Sequence, residues 1–227
     1  MIFDSALEKY SSINQDESSQ VNSKDESSQV NSNYDCKLLF RGVVHECDKM
    51  IRVRNNNVPN ATPEEMKVLL EKVEKTSDGK ILPLPCQFHV IYAKALYFLS
   101  LLEEKSDGNQ TEALEFINEA LYRIEIAMEM QHESNKTEIL FVMTRALVQK
   151  ALILQDDTLV PEIMEKTDLV FKSLKDLPSL DSALELAHLI TSLIGLYQQD
   201  LLEKLECAKT VCSKWKLISD CICIHVI

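Results

Sequence analysis

Four side chains that carry out chemistry in many enzymes stand in a row at His45, Glu46, Cys47 and Asp48. Imidazole, thiolate and carboxylate groups bind zinc or act as acids, bases and nucleophiles, so this run raises the question of an active or metal site. On a helix, with about 100° between successive residues, the four side chains do not converge on one point. Cys47 falls on the apolar side and Glu46 points elsewhere, which favours a buried core role for Cys47.

The spacing of the histidines does not fit a helical metalloprotease site. Such a site needs a second histidine four residues after His45, and that position is Lys49. His89, on another predicted helix, is a further ligand candidate, but one histidine per helix is weak evidence for a site. We therefore predict no catalytic residue, no metal site and no cofactor. The alternative from a different class is a metal- or thiol-dependent enzyme built on His45, Asp48, His89 and the cysteines.

His45 and Asp48 share one flank of their helix with two arginines. Arg41, His45, Asp48 and Arg52 follow at i, i+4, i+7 and i+11, so Asp48 is expected to pair with Arg52 and with Arg41. Exposed pairs of this kind contribute about 0.3–0.5 kcal/mol each. The ladder therefore either fixes the register of two helices or contacts a partner. The predicted partner-binding residues are Arg41, His45, Asp48, Arg52, His89 and Tyr92.

The C-terminal stretch offers a second set of candidate metal ligands. They are Cys207, Cys212, Cys221, Cys223 and His225. Their spacing matches no usual zinc site, so we interpret residues 205–227 as an atypical cysteine-containing tail. Seven cysteines are an odd number, and several lie within apolar helical patterns, which predicts reduced thiols.

The composition favours an all-helical protein that binds other proteins. Only 4 glycines and 6 prolines occur among 227 residues, too few for the tight turns of sandwiches and nucleotide-binding loops. No basic stripe with interleaved aromatics stands out, and no apolar run approaches the ~20 residues of a membrane span, so neither nucleic acid nor membrane is an expected partner. The net charge of −12 predicts a basic partner surface.

Apolar periodicity and capping signals divide the chain into segments. Residues 1–13 are predicted to form an N-terminal helix, and residues 14–33 a flexible polar loop that contains the sequence DESSQVNS twice. Helices are predicted at residues 35–54, 63–76, 86–104, 110–131, 136–155, 160–176 and 181–204. The helix at 63 has a capping box made by Thr62 and Glu65, and Ser77-Asp78-Gly79 is expected to end it.

The predicted helices fit a repeat architecture. Ala113, Ile117 and Ala120 have the offsets at which the second helix of a tetratricopeptide unit places Ala, Phe and Ala. Short connections between helices predict antiparallel neighbours. The predicted fold class is all-α, with tetratricopeptide-like helical hairpins stacked as a short α-solenoid over residues 34–204.

Two sequence blocks, RGVVHECDKMIR at residues 41–52 and FHVIYAKAL at residues 88–96, are separated by a capped helix and a proline-rich entry. Together they resemble the fungal family called enhancer of translation termination, whose fission-yeast branch is known as a negative regulator of a prolyl-hydroxylase-like oxygenase. The helical similarity continues to about residue 204. The resemblance implies an all-helical, tetratricopeptide-like protein without catalytic activity. Family members usually continue through more helical repeats, so the resemblance also indicates a truncated or divergent member.

The resemblance implies partners as well as a fold. Members of this family are associated with stop-codon recognition, and with binding a 2-oxoglutarate- and iron-dependent oxygenase that hydroxylates a proline of a small-subunit ribosomal protein. The implied function is a non-catalytic adaptor for that prolyl-hydroxylase-like oxygenase, a basic ribosomal protein or release factors, and any iron belongs to the partner. A generic tetratricopeptide-like chaperone-cofactor scaffold is the alternative among binding proteins.

The resemblance also implies a location in the nucleus and the cytoplasm. Family members usually begin with a short basic segment that resembles a nuclear import signal. This sequence begins with Met1-Ile-Phe-Asp-Ser and lacks such a segment, so nuclear entry without a partner is not expected.

Overall fold

The structure is a computed structural model that describes residues 4–6, 8, 26–107, 109–130 and 136–173. Regular structure in these ranges is helical, and extended backbone pairs there at an isolated bridge between Lys75 and Ile81. The all-α prediction is confirmed for this part of the chain, whereas stacking as a tetratricopeptide-like solenoid stays a prediction. The helix predicted at 181–204 and the tail at 205–227 lie outside the described residues.

The described helices fall into two compact units, Met1–Met130 and Gln131–Ile227. The first unit contains α1 (Glu26–Arg54), α2 (Pro63–Glu71), α3 (Cys86–Asp107) and α4 (Gln110–Glu129). Residues 4–6 and 8, within the N-terminal helix predicted at 1–13, are also helical. The second unit contains α5 (Lys136–Leu154), a 3-10 turn (Asp157–Leu159) and α6 (Val160–Ser173). The boundary between the units falls inside the single helical domain predicted for residues 34–204. No helix in the described ranges is both long enough and apolar enough to cross a bilayer.

Helix α1 begins earlier than predicted. It starts at Glu26 instead of residue 35, so residues 26–33 of the predicted flexible loop are helical, while residues 14–25 lie outside the described part. Extending an existing helix adds one backbone hydrogen bond per residue and avoids the cost of a new nucleus. Polar composition therefore does not mark where this helix starts.

The start of α2 agrees with the predicted capping box. The Glu65 amide donates to Thr62 Oγ1 at 3.2 Å, and the Thr62 amide donates to Glu65 Oε2 at 2.8 Å. Pro63 occupies the first turn, where its missing amide hydrogen removes no helical bond. The two reciprocal bonds satisfy backbone donors that the first turn would otherwise leave without partners.

The end of α2 differs from the prediction. The helix stops at Glu71, before the predicted end at residue 76 and well before Gly79. Beyond it the Thr76 amide donates to the Lys80 carbonyl at 2.8 Å, and the Lys80 amide donates to Thr76 Oγ1 at 3.1 Å. These bonds use backbone groups that a longer helix would need. Gly79, at φ +81°, therefore belongs to a separate turn and does not end the helix.

Helix α3 is the centre of the first unit. Both α1 and α4 pack on it, and the contact with α4 is the more extensive. The rings of Phe40 on α1 and Phe98 on α3 stack with centroids 5.1 Å apart. The buried residues of α4 are Ala113, Ile117, Ala120, Ile124 and Ala127. The predicted small side chains at 113 and 120 are thus buried, which lets the backbones of neighbouring helices approach closely.

Helices α5 and α6 pack on each other in the second unit. Two buried threonines are accommodated there because their hydroxyls donate to carbonyls one turn earlier, Thr144 to Leu140 and Thr167 to Ile163, each at 2.7 Å. Helix α6 begins at Val160 with Pro161 just inside its start, as predicted.

Replacing Thr62 with alanine should destabilise α2 by about 1 kcal/mol, because the N-cap hydroxyl no longer accepts from Glu65. Since α2 buries none of its residues, the loss should appear as faster amide hydrogen exchange over Pro63–Glu71, with little change in the unfolding midpoint of the chain. Thr111→Ala, at an exposed position in the first turn of α4, is the matched control. Unchanged exchange in the Thr62→Ala variant would contradict the capping role.

Candidate functional site

Asp48 and Tyr92 meet where α1 packs on α3. The Tyr92 hydroxyl donates to Asp48 Oδ1 at 2.5 Å, and Tyr92 is only 2% exposed. Burial raises the pKa of Tyr92, and the hydrogen bond to the Asp48 carboxylate and its negative charge raise it further. The phenol therefore keeps its proton and serves as a hydrogen-bond donor between the two helices.

The predicted charge ladder along α1 is replaced by contacts with neighbouring helices. In the described residues Asp48 forms no ion pair with Arg52, which is exposed, and it accepts a hydrogen bond from Tyr92. Arg41 pairs with the carboxylates of Glu103 and Glu112 on two other helices. The prediction of Asp48 pairs with Arg41 and Arg52 is therefore wrong, because a partly buried seam between helices screens charge less than the exposed face of one helix.

Glu103 on α3 is the buried charge of this seam, with a side chain that is 1% exposed. One carboxylate oxygen lies 2.5 Å from Lys37 Nζ, and the other lies 2.8 Å from Arg41 Nη2. The same Arg41 nitrogen lies 2.7 Å from Glu112 Oε1 on α4, so one arginine joins three helices. A buried carboxylate without cations is strongly unfavourable, so these two pairs fix how α1 lies on α3.

Arg123 on α4 organises a second group of side chains. Its guanidinium carbon lies 5.0 Å from the ring centroid of Tyr92 and 5.2 Å from that of Tyr122. The guanidinium also pairs with Glu119 at 2.6 Å, one turn earlier on α4. Arg123 thus connects the Asp48–Tyr92 contact to the surface of α4 through two cation–π contacts.

The titratable groups buried near this contact are held in their neutral forms. Burial, followed by the positive charge of Arg123, lowers the pKa of His89. Burial, followed by the charge of Asp48, raises the pKa of Cys47 to about 11. At neutral pH Cys47 is therefore a protonated thiol, which is a weak nucleophile. Its burial at 7% exposure confirms the predicted core role.

The six predicted partner-binding residues lie in different environments. His45 and Arg52 are exposed, Arg41 is 47% exposed while it pairs with Glu103, and Asp48 is partly buried. His89 and Tyr92 are 6% and 2% exposed, which removes them from direct contact with a partner. Both were predicted as contact residues, but the packing of α1 and α4 on α3 leaves them buried. We assign them a positioning role.

The candidate metal ligands do not come together in the described part of the chain. No group of three or more His, Cys, Asp and Glu side chains there is arranged to hold a metal ion. His45 is exposed on α1, whereas His89 is buried on α3. The C-terminal cysteines and His225 lie outside the described residues.

An open groove of about 720 Å³ lies beside α2 and contains none of the six predicted residues. It is lined by the apolar residues Val58, Met66 and Leu70 and by the charged residues Lys67 and Glu71. Its lining has no histidine or cysteine, so the groove does not gather the chemistry that the sequence singled out.

Glu103 and Arg123 are structural determinants that the sequence patterns did not single out. Tyr92, Leu96, Leu99 and Glu103 follow at i, i+4, i+7 and i+11 and are all at most 2% exposed. A glutamate at the same helical spacing as a buried apolar stripe is expected to be buried, and it then needs a cation from another helix. The spacing of Glu103 could therefore have identified it from the sequence. No comparable pattern marks the contact of Arg123 with Tyr92.

Comparison with known proteins places these helices among relatives. The model of a family described as Nuclear pore complex subunit Nro1 matches residues 7–193. A Debaryomyces hansenii protein named Enhancer of translation termination 1 is 31% identical over 162 residues, which is 66% of this chain and 34% of the relative. A protein of the same name from Vanderwaltozyma polyspora is 27% identical over 177 residues, 76% of this chain and 37% of the relative.

The chain therefore spans only 34–37% of the length of these two relatives. No solved structure matches it.

Replacing Glu103 with alanine should lower the free energy of unfolding by about 3 kcal/mol, because Lys37 and Arg41 lose the carboxylate that they share. Glu112→Ala removes the more exposed partner of Arg41, together with an exposed hydrogen bond from the Asn109 side chain, and should cost less than about 1 kcal/mol. Urea denaturation of both variants measures the difference. Similar losses in the two variants would contradict a central role for Glu103.

Replacing His89 with leucine should reduce the loss of stability at acidic pH. The unfolded histidine takes up a proton as the pH falls through about 6.5, whereas the lowered pKa keeps the folded imidazole neutral. His89 therefore contributes stability above its unfolded pKa, and this contribution is lost as the pH falls through its folded pKa. Thermal unfolding across this range checks the difference, with exposed His45→Ala as the control. Identical pH dependence in the wild type and His89→Leu would refute it.

Proposed function

Because this chain belongs to the Nro1 family, we propose that it is a non-catalytic helical adaptor that supports correct translation termination by binding other proteins. The family match is the main observation in support of the proposal, since the matched residues 7–193 include the helices α1 to α6. Two relatives bear the name Enhancer of translation termination 1, in agreement with the resemblance of residues 41–52 and 88–96.

The roles of the reactive side chains support a non-catalytic protein. Asp48 accepts from the Tyr92 hydroxyl, and both groups act between helices. The Cys47 thiol is buried and has a raised pKa, and the His89 imidazole is buried with a lowered pKa. These are structural uses of groups that would serve as nucleophile or base in an enzyme.

We propose that the partners are a 2-oxoglutarate-dependent prolyl-hydroxylase-type oxygenase, its basic ribosomal-protein substrate or release factors. An exposed basic row on α1, consisting of Arg41, His45, Lys49 and Arg52, is one candidate contact surface. Its members are three or four residues apart, so they lie on one face of the helix. Arg41 is paired with Glu103 and Glu112, and Lys49 lies 3.7 Å from Glu46, so Arg52 and His45 are the members left to contact a partner. This end of the row fits an acidic patch, and a basic partner requires a different face of the protein.

We also propose that the chain acts in the nucleus, with a further presence in the cytoplasm. The matching family is described as a nuclear pore complex subunit, which supports the nuclear part of this proposal.

Affinity purification of the tagged chain should recover the oxygenase, the ribosomal substrate or release factors, and a deletion strain should show increased stop-codon readthrough. The double variant His45→Ala with Arg52→Ala should lower partner recovery by about tenfold if the α1 row makes an energetically important contact. Arg41 is left unchanged because it also pairs with Glu103.

The matched control is Lys67→Ala with Lys72→Ala, two exposed cations on and just after α2. This variant should recover the partners as the wild type does. Recovery of none of these partners, together with normal readthrough in the deletion strain, would reject the proposed function. Equal recovery by both double variants would reject only the α1 row as the contact.

A further inference from the structure

The exposed face of α4 carries the opposite charge from the basic row of α1. After Gln110 at the start of the helix, its exposed residues are Thr111, Glu115, Asn118, Tyr122, Glu125 and Glu129. They recur every three or four residues, which places them along one face of the helix. Three of the six are glutamates and none is a cation. We call these six residues the α4 face.

Tyr122 stands at the centre of the α4 face and is 52% exposed. Glu125 follows it by one turn, and Glu115 and Glu129 lie two turns away on either side, about 10 Å along the helix axis. In the described residues these three glutamates form no ion pair. A large aromatic ring on an otherwise polar face is a common feature of protein interfaces, because it combines a wide contact area with few rotatable bonds.

The structure already shows a guanidinium lying over Tyr122. The Arg123 guanidinium carbon lies 5.2 Å from the ring centroid, and Glu119 balances the charge of this arginine at 2.6 Å. A cation from a partner would therefore meet the exposed Tyr122 ring without strong repulsion from Arg123, because Glu119 neutralises that arginine. The carboxylates of Glu115, Glu125 and Glu129 would attract the same cation. Arginine and lysine are the side chains that gain most from this combination of ring and carboxylates.

We propose that the α4 face is a docking surface for an extended segment, rich in lysine and arginine, of a partner protein. Glu115 and Glu129 are 14 residues apart, so the face is about 21 Å long. An extended segment of about six residues spans this distance at about 3.3 Å per residue. The inference rests on the proposed adaptor function and names the chemistry of one partner. It agrees with the net charge of −12, which favours approach of a basic chain.

A second copy of this chain is a less suitable occupant, although the α1 row would supply positive charge. Contact between the α1 row of one copy and the α4 face of the next is head-to-tail, and such contacts extend into filaments unless the rotation between copies closes a ring. A short basic segment of a partner can pair with the same glutamates, and its binding requires no closed ring of copies.

The test uses the full chain and a fluorescein-labelled peptide of three Arg-Gly-Lys repeats as the probe, with fluorescence anisotropy at low salt as the readout. Tyr122→Ala should weaken binding about threefold, through loss of the exposed cation–π contact. Glu125→Gln with Glu129→Gln should weaken it about fivefold while leaving the ring in place. Raising the salt concentration should weaken wild-type binding more than binding by this double variant.

Matched controls carry the same chemical changes elsewhere. Tyr34→Ala removes a tyrosine that is 62% exposed on α1, and Glu162→Gln with Glu165→Gln neutralises two exposed glutamates on α6. Both should bind the probe as the wild type does. Tyr122→Ala should leave the affinity for a peptide of three Glu-Gly-Asp repeats unchanged, because the charge of that peptide suits the α1 row and not the α4 face.

Three results would overturn the docking surface. They are no binding of the basic probe by the wild type at low salt, equal affinity in the α4-face variants and the controls, or self-association of the chain that Tyr122→Ala abolishes. The last result would identify a second copy as the occupant. None of the three decides the adaptor function, which the readthrough and copurification measurements test independently.

Discussion

A charged carboxylate at 1% exposure is unfavourable without cations beside it, and Glu103 has two. Lys37 and Arg41 lie one turn apart on α1, so satisfying Glu103 determines which stretch of α1 faces the C-terminal part of α3. With that register set, Phe40 stacks on Phe98 and the remaining contacts follow along the two helices. This shared carboxylate thus fixes how α1 lies on α3.

The same register brings Asp48 opposite Tyr92, at the other end of the antiparallel pair. Asp48, one of the four reactive residues that stand in a row, thereby becomes the acceptor of a hydrogen bond between helices. Arg123 extends this contact to α4 by lying over the Tyr92 ring, and then reaches the surface at Tyr122. Polar and aromatic side chains thus connect the core to Tyr122 on the α4 face. The glutamates of the α4 face and the basic row of α1 lie on the surface. In the adaptor function that we propose, faces of opposite charge distinguish partners by charge before any close contact forms.

Much of the fold could be predicted because helix signals are local. The Thr62 capping box, the burial of Ala113 and Ala120 and the inward position of Cys47 follow from residues within one or two turns of each other. Predictions were less successful where a local pattern met a competing bond. After α2, hydrogen bonds of the Thr76 hydroxyl and backbone form a turn in place of further helix. At the start of α1, the helix extends in the N-terminal direction into polar sequence, because adding a residue to an existing helix costs less than starting a new one.

The sequence by itself determined the helical class, the starts of α2 to α6 and the family, since these depend on composition, on spacing along the chain and on two contiguous blocks. Only the tertiary structure decided what the polar side chains of α1 do. Asp48 bonds to a residue 44 positions away and Arg41 to one 62 positions away, whereas the spacing along α1 pointed to partners on the same helix. The physical reason is that packing one helix on another creates partly buried sites, where an opposite charge or a hydroxyl stabilises more than it does in water.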